Sequence, residues 1–244
     1  MARNNKKISV FVPVFNEDAI IKRAMGAIHY VMKMGARDYE IFIVNDASVD
    51  ATRRIVKGIQ QAGHNVTLID CVVGPTRREN LAQSFKEANG DIIVFVDIDV
   101  IASLRFLPAL IDQIVSGYDI AIGSRYLPGA EIRRKPYRLM LSRICNIVIR
   151  FFFRTKISDH VCGFKAFKRD VIVKLVEEMG YDSTLRRGVF WDTELLVRAR
   201  HHGYTIQEIP IRWVERRKSA ISFKRDITCL GYAVGFYMKF TAGL

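Results

Sequence analysis

Apolar positions fall into two rhythms along the chain. Short, nearly continuous apolar runs predict buried strands at 8–17, 39–46, 66–70, 91–97 and 119–123. The first, ISVFVPVFNE, stops at Pro, Asn and Glu, so its end reads as a functional loop. Between the runs, apolar residues recur at helical spacing. Ile20, Ile21, Met25, Ile28, Val31 and Met32 predict a helix over 18–34, and similar patterns predict helices over 50–62, 78–89 and about 103–116. Ser48 is placed to cap the helix at 50–62, because its hydroxyl can accept from free backbone N–H groups. Gly90 closes the one at 78–89.

Strands alternating with helices over residues 1–123 predict an α/β fold, a mostly parallel sheet with helices on both faces. Such sheets bind ligands beyond the carboxyl ends of their strands. Asn16 and Glu17, Asn45 and Asp46, Asp97 and Asp99, and Ser124 and Arg125 all cluster there. Packing gives no reason for ligand-type side chains at four strand ends.

The second half has a different pattern. Residues 137–153 predict a helix whose Arg138, Ser142, Asn146 and Arg150 recur every four residues as one polar stripe on an otherwise apolar surface. Two arrangements are open. Either the stripe faces a charged site and the apolar surface faces core or lipid, or a core helix exposes its polar stripe to water. Helices at 169–179 and 192–202 and a strand at 205–213 follow. Residues 227–238 carry no charge, but they fall short of the roughly 20 residues needed to cross a bilayer. They read as an interfacial or docked segment.

Composition narrows the class. The chain has 244 residues and is 50% hydrophobic, enough for a sizeable core. Its 4 cysteines are scattered with no CxxC pair, which argues for reduced thiols and against a zinc site. The polar, basic N-terminus runs straight into a strand and does not read as a secretory leader. A net charge of +13 points to an anionic partner: nucleic acid, an anionic membrane or a phosphorylated substrate. Arg133, Arg134, Lys135, Arg138 and Arg143 crowd one region, and Arg212, Arg216, Arg217, Lys218, Lys224 and Arg225 another. These clusters flank apolar segments, which favours a membrane surface. No nucleic-acid motif is visible, and paired aspartates would repel phosphates unless a metal intervened.

The sharpest chemical feature is VDID at 96–99. Two carboxylates spaced i, i+2 at the end of an apolar strand call for a cation. A hard divalent ion, Mg2+ or Mn2+, takes oxygen ligands from carboxylates and from a substrate diphosphate, and it stabilises that diphosphate as a leaving group.

VPVFNE (12–17), IVNDASVDAT (43–52), VDID (96–99), GSRY (123–126), DHVCGFKAF (159–167) and WDTELLVRA (191–199) occur in an order that spans nearly the whole chain. With these segments the sequence resembles a family 2 glycosyltransferase of the Rossmann-like GT-A fold, and within that family the polyprenyl (dolichyl) phosphate hexosyltransferases. The resemblance implies transfer of a hexose from a nucleotide sugar to dolichyl or polyprenyl phosphate at the cytoplasmic membrane face. GDP-mannose is the favoured donor and UDP-glucose the alternative. A non-catalytic nucleotide-binding scaffold is the rival from another class. The resemblance further implies that Pro13, Phe15 and Glu17 border the base and ribose and that Asp46 bonds the base. Asp97 would lie by ribose and sugar, with Asp99 as the main metal ligand beside it. Arg125, Arg138 and Ser142 would hold the acceptor phosphate, Lys165, Asp192 and Glu194 would line the sugar pocket, and Arg216 and Arg217 would close over the diphosphate. Catalysis would centre on Asp97, Asp99, Arg125 and Asp192.

The chain departs from the family pattern in three places. Ala47 stands where relatives often carry Gly, so either no positive φ is needed there or some strain is accepted. Ile101 stands where many mannose synthases carry a Gln ligand, which the glucosyl group also tends to lack. RRENLA (77–82) replaces a Gly-Lys-Gly type segment. The expected organisation is a catalytic domain over 1–215 with amphipathic interfacial helices, then a basic loop and an interfacial segment over 216–244. Whether a separate subunit supplies a membrane anchor is left open by the sequence.

Overall fold

The computed structural model describes residues 6–35, 37–215 and 223–242, with side chains in the last segment from 231 onward. The expected strands form: β1 (Ile8–Val14), β2 (Tyr39–Asp46), β3 (Val66–Cys71), β4 (Ile92–Val96) and β5 (Ile120–Ser124). Helices α1 (Ile21–Met34), α2 (Thr52–Gln61), α3 (Glu79–Ser84) and α4 (Leu107–Val115) lie between them. A seven-stranded sheet runs in the order β3-β2-β1-β4-β7-β5-β8. Its added members are β7 (Phe164–Lys168), antiparallel to both β4 and β5, and β8 (Ile206–Pro210), parallel to β5. A small parallel pair joins β6 (Glu131–Arg133) to β9 (Arg212–Val214).

Period-two alternation explains the two-sided burial. Ile8, Val10, Val12 and Val14 of β1 enter one core, with Ile92, Val94 and Val96 of β4. Phe11, Phe95 and Phe167 enter the other, with helices α6 (Arg169–Met179) and α7 (Trp191–His201) above them. There Phe11 stacks on Phe42 at 4.7 Å, and Phe95 stacks on Phe167 at 5.9 Å. Each buried ring contributes about 2–3 kcal/mol by removing apolar area from water.

Four expectations are corrected. The strand at 205–213 breaks after Pro210 into β8 and β9, because β9 leaves the main sheet to pair with β6. The helix at 103–116 is a 3-10 helix over Ile98–Phe106 that becomes α only at Leu107. The helix at 78–89 shortens to α3 plus a 3-10 turn at Phe85–Glu87. Ser48 does not cap α2. Its hydroxyl accepts from Asn16 N–H at 3.0 Å, and Asp50 accepts from Thr52 N–H at 2.9 Å instead.

Helix α5 (Pro136–Phe153) begins with Pro, whose fixed φ suits the first helical position. Arg138, Ser142 and Asn146 of its polar stripe turn inward, Arg150 in the last turn is exposed, and the apolar face turns outward. Asn146 is its one buried residue, whereas Tyr137 is 51%, Met140 62%, Ile144 48% and Phe151 77% exposed. The arrangement with an outward polar stripe is therefore excluded. Helix α8 (Phe223–Ala242) contains the uncharged 227–238 segment and docks through Phe236, whose ring lies 5.6 Å from both Phe153 and Phe190. Among the described residues, no helix is long and apolar enough to cross a membrane.

Candidate active site

The strand order reverses between β1 and β4, which opens a crevice beyond their carboxyl ends. Pro13, Phe15, Glu17, Asp46, Asp97 and Asp99 together line a cavity of about 430 Å3 there, with Pro75, Arg77 and Arg78. That volume suits a small-molecule ligand. The loop after β1 is pinned to the loop after β2: Glu17 N–H donates to Thr52 Oγ1 at 2.7 Å, and Val49 N–H to Asn16 Oδ1 at 2.9 Å. Ala47 has φ +62°, so some strain is accepted at the position where relatives often carry Gly. Phe15 is 38% exposed at the rim, available to a flat ring.

The Asp46 carboxylate holds the opposite wall. It accepts from Thr76 N–H at 2.7 Å, Arg77 N–H at 2.9 Å and Asn80 Nδ2 at 2.6 Å. The residue expected to read the base thus also fixes the 76–80 loop. Gly74 is required beside it, since a Cβ there would meet the Asp46 carbonyl oxygen at 2.5 Å.

Asp97 ends β4 and Asp99 sits in the first turn of the 3-10 helix. Asp97 is gripped by Arg78 through two bonds, Nη1 to Oδ1 at 2.6 Å and Nη2 to Oδ2 at 2.8 Å. The same guanidinium donates Nε to Asp192 Oδ2 at 3.0 Å. Asp192 Oδ1 accepts from Lys165 Nζ at 2.6 Å. Asp97, Arg78, Asp192 and Lys165 therefore form one alternating-charge chain. Burial pushes the Asp192 carboxyl up, but Arg78 and Lys165 outweigh it and hold the group below the usual carboxylate range. Gly163 lets the chain close: Asp97 N–H donates to its carbonyl at 2.8 Å, and a Cβ on it would strike Asp97 Oδ2 at 1.8 Å.

Asp99 is the exception in this cluster. Its Oδ1 is buried and has no hydrogen-bond partner among the described residues. Burial and the adjacent Asp97 push its carboxyl up to about 6, against the pull of Arg78 and Arg125. A buried oxygen without a donor fits a cation. Among the described residues, no group of three His, Cys, Asp or Glu side chains gathers to hold a metal. Ile101 packs against the core and offers no ligand. The donor set thus suits a hard cation that takes most of its ligands from diphosphate and water.

The remaining predicted residues divide. Lys165 and Asp192, expected to line the sugar pocket, are both buried: Lys165 positions the Asp192 carboxylate, Asp192 positions Arg78, and neither lines the open cavity. Glu194 lies about 200° around α7 from Asp192, because residues two apart on a helix face opposite ways. It bonds Arg198 at 2.9 Å and Tyr232 of α8 at 2.8 Å, away from the Asp97 cluster. Arg125 makes a bidentate pair with Asp159, at 2.7 and 2.8 Å, with Trp213 5.1 Å and Tyr126 5.5 Å from its guanidinium. Its charge reaches Asp99 all the same. Arg138 pairs with Glu215 at 2.8 Å, and Ser142 shares a 2.6 Å hydrogen bond with Tyr126. Arg216 and Arg217 lie outside the described residues. Sequence reasoning missed Arg78, Asp159 and Glu215. Arg78 stood inside the departing RRENLA segment, and that departure was its only signal.

The model of the family described as Glycosyl transferase family 2 matches residues 9–176. Glycosyltransferase AglD of Haloferax volcanii is 30% identical over 228 residues, 92% of this chain and 36% of that protein. The chain thus spans about a third of that relative's length. Polyprenol monophosphomannose synthase of Mycolicibacterium smegmatis is 28% identical over 222 residues, 88% of this chain and 80% of that protein. Among solved structures, glucosyl-3-phosphoglycerate synthase of Mycobacterium tuberculosis with Mn2+, uridine diphosphate and glucosyl-3-phosphoglycerate superposes with a TM-score of 0.68 at 19% identity, covering 98% of this chain and 81% of that one. The chain belongs to glycosyl transferase family 2 and carries that family's GT-A fold.

Proposed function

We propose that the protein transfers a hexose from a nucleotide sugar to a polyprenyl or dolichyl phosphate, with inversion, as a peripheral protein at the cytoplasmic face of the membrane. One observation carries the acceptor class. Helix α5 turns Arg138 and Ser142 toward the body and a long apolar face outward, beginning at Tyr137 and Met140. A phosphate on an apolar tail is the ligand that uses both faces. GDP-mannose is the favoured donor, supported by the likeness to polyprenol monophosphomannose synthase. The packed Ile101 is the observation on the side of UDP-glucose.

In the reaction a phosphate oxygen of the acceptor forms the bond to the sugar C1 as the bond from C1 to the nucleoside diphosphate breaks. The acceptor phosphate is already anionic at neutral pH, so no strong general base is needed. Asp46, with its 76–80 loop, and Phe15 bind the nucleoside end. Asp97, gripped by Arg78, presents its carboxylate at the sugar and ribose end of the cavity, and Asp192, buried behind it, holds Arg78 in place together with Lys165. Arg138 and Ser142 orient the attacking phosphate, with Arg125 steadying the strand end beside Asp99. Asp99 would hold Mg2+ or Mn2+ with help from Asp97; the bound ion would neutralise charge on the departing diphosphate. The protein supplies positioning and fixed charge.

The test incubates the full chain with radiolabelled GDP-mannose or UDP-glucose and polyprenyl phosphate in detergent. Label should pass to the lipid with one donor and fail to pass in excess chelator or in Asp99→Ala. Full transfer in chelator and in that variant would remove the metal role. No transfer from either donor would remove the acceptor class.

A further inference from the structure

We infer that Arg134 and Arg138, at the head of α5, form one phosphate seat, and that the Glu215 carboxylate occupies it as an internal stand-in for the acceptor's phosphate. The inference rests on the acceptor reading above and adds to it a second binding arginine and a resident competitor. Glu215 Oε1 lies 2.8 Å from Arg138 Nη1 and 3.4 Å from Arg134 Nε, and its Oε2 lies 3.5 Å from the Lys135 backbone N–H. Two guanidinium groups thus converge on one carboxylate oxygen. The fit is incomplete, because Arg134 Nε is buried and makes no hydrogen bond among the described residues. A flat carboxylate has two oxygens and one charge. A phosphate monoester has three terminal oxygens on a tetrahedron and up to two charges. It can place a separate oxygen on Arg134, on Arg138 and on the helix N-terminus, whereas Glu215 reaches the N-terminus only at 3.5 Å and makes one oxygen serve both arginines without a hydrogen bond to Arg134.

Two further features favour a lipid phosphate over a free anion and make the exchange easy. The exposed apolar face of α5 starts beside the seat, at Tyr137, Met140 and Leu141. A tail leaving the seat would meet apolar surface at once. The Glu215 backbone N–H donates to Arg133 O at 2.9 Å, so the main chain is anchored. Rotating the glutamate side chain alone vacates the seat, with β6 and β9 left paired.

The experiment measures binding of farnesyl monophosphate by calorimetry, with inorganic phosphate and farnesol as the two halves of the ligand. Glu215→Gln should bind farnesyl monophosphate about tenfold tighter than wild type, and Arg134→Gln about tenfold weaker, the effect of one charged hydrogen bond. Glu215→Ala gives the same readout should the Gln variant fold poorly by thermal unfolding. Affinity for GDP or UDP should not change in any of them. Inorganic phosphate should follow the same order at lower affinity, and farnesol should ignore both substitutions. Equal or weaker binding in both Glu215 variants overturns the stand-in. Unchanged binding in Arg134→Gln removes that arginine from the seat. Arg138→Gln separates the two levels. Unchanged binding there overturns the acceptor reading itself. Lost binding there, with wild-type affinity in the other variants, overturns only this inference. Equal affinity for inorganic phosphate and farnesyl monophosphate would overturn the lipid assignment.

Discussion

Replacing Arg78 by Gln removes one cation shared by two carboxylates. Three hydrogen bonds go at once, at 2.6, 2.8 and 3.0 Å, from a side chain only 12% exposed. The two aspartates do not suffer equally. Asp192 keeps Lys165, whereas the Asp97 carboxylate loses both hydrogen bonds that Arg78 gave it and stays next to Asp99. Breaking a buried pair by removing one partner costs roughly 3–5 kcal/mol, because a charge is left uncompensated. Asp97 is 27% exposed and regains some water, so about 3 kcal/mol is the expected loss. In a chain of this size each kcal/mol moves Tm by about 2–4 °C, so Tm should fall by about 6–12 °C. Urea unfolding followed by circular dichroism measures the first figure and a thermal scan the second. The charge argument adds a sharper requirement. Asp97→Asn in the same chain should restore about half the loss or more, since it removes the stranded charge. A loss under 1 kcal/mol, or a double variant no more stable than Arg78→Gln, would refute the view that Arg78 balances these carboxylates.

Two other outcomes follow from different parts of the molecule. His160 is buried and neutral, with Nδ1 2.9 Å from Asn146 Oδ1 and Nε2 2.8 Å from Thr155 Oγ1; burial, aided by Lys165 and Arg150 and opposed by Asp159, lowers its pKa from 6.5 to about 4. The unfolded chain takes up that proton first as pH falls. This group should therefore take about 3 kcal/mol off stability between pH 6.5 and 4, against a gain from the raised Asp99 carboxyl as pH falls through 6, so its share is read as the change in slope of the urea midpoints between wild type and His160→Gln. An unchanged slope in that variant would place the titration elsewhere. The outward face of α5 should bind vesicles containing anionic lipid in a sedimentation assay, and a double substitution Ile144→Glu with Phe151→Glu should release the protein at low salt with its Tm unchanged. Unaltered sedimentation would exclude this face as the membrane contact.

The parts of the fold legible in the sequence were those written in local patterns. β1 to β5 announced themselves as apolar runs, and the residues at the ends of β1, β2 and β4 converge on one cavity because a parallel sheet places those ends on one side. What was hidden depends on distant partners. β7 alternates large and small residues around a buried Lys165, a composition that does not read as a central strand until Asp192, 27 residues on, supplies the counter-charge. Arg78 meets Asp192 across 114 residues, and Arg138 meets Glu215 across 77, so neither pairing leaves a local trace. The polar stripe on α5 was visible, but its direction was not. The sense was fixed by Tyr126, His160 and Glu215, which meet Ser142, Asn146 and Arg138.

That mode of attachment has an orientational consequence. A helix seated on a body by leucine-like contacts can roll by tens of degrees, since such contacts have no direction. α5 is held at three points one turn apart, each a hydrogen bond or ion pair with fixed geometry: Arg138 to Glu215, Ser142 to Tyr126, and Asn146 to His160. Its azimuth is therefore locked. Whatever surface receives the outer face receives the whole molecule at one attitude, with the donor crevice opening at a set angle to that surface. The helix works as a keel as much as a contact.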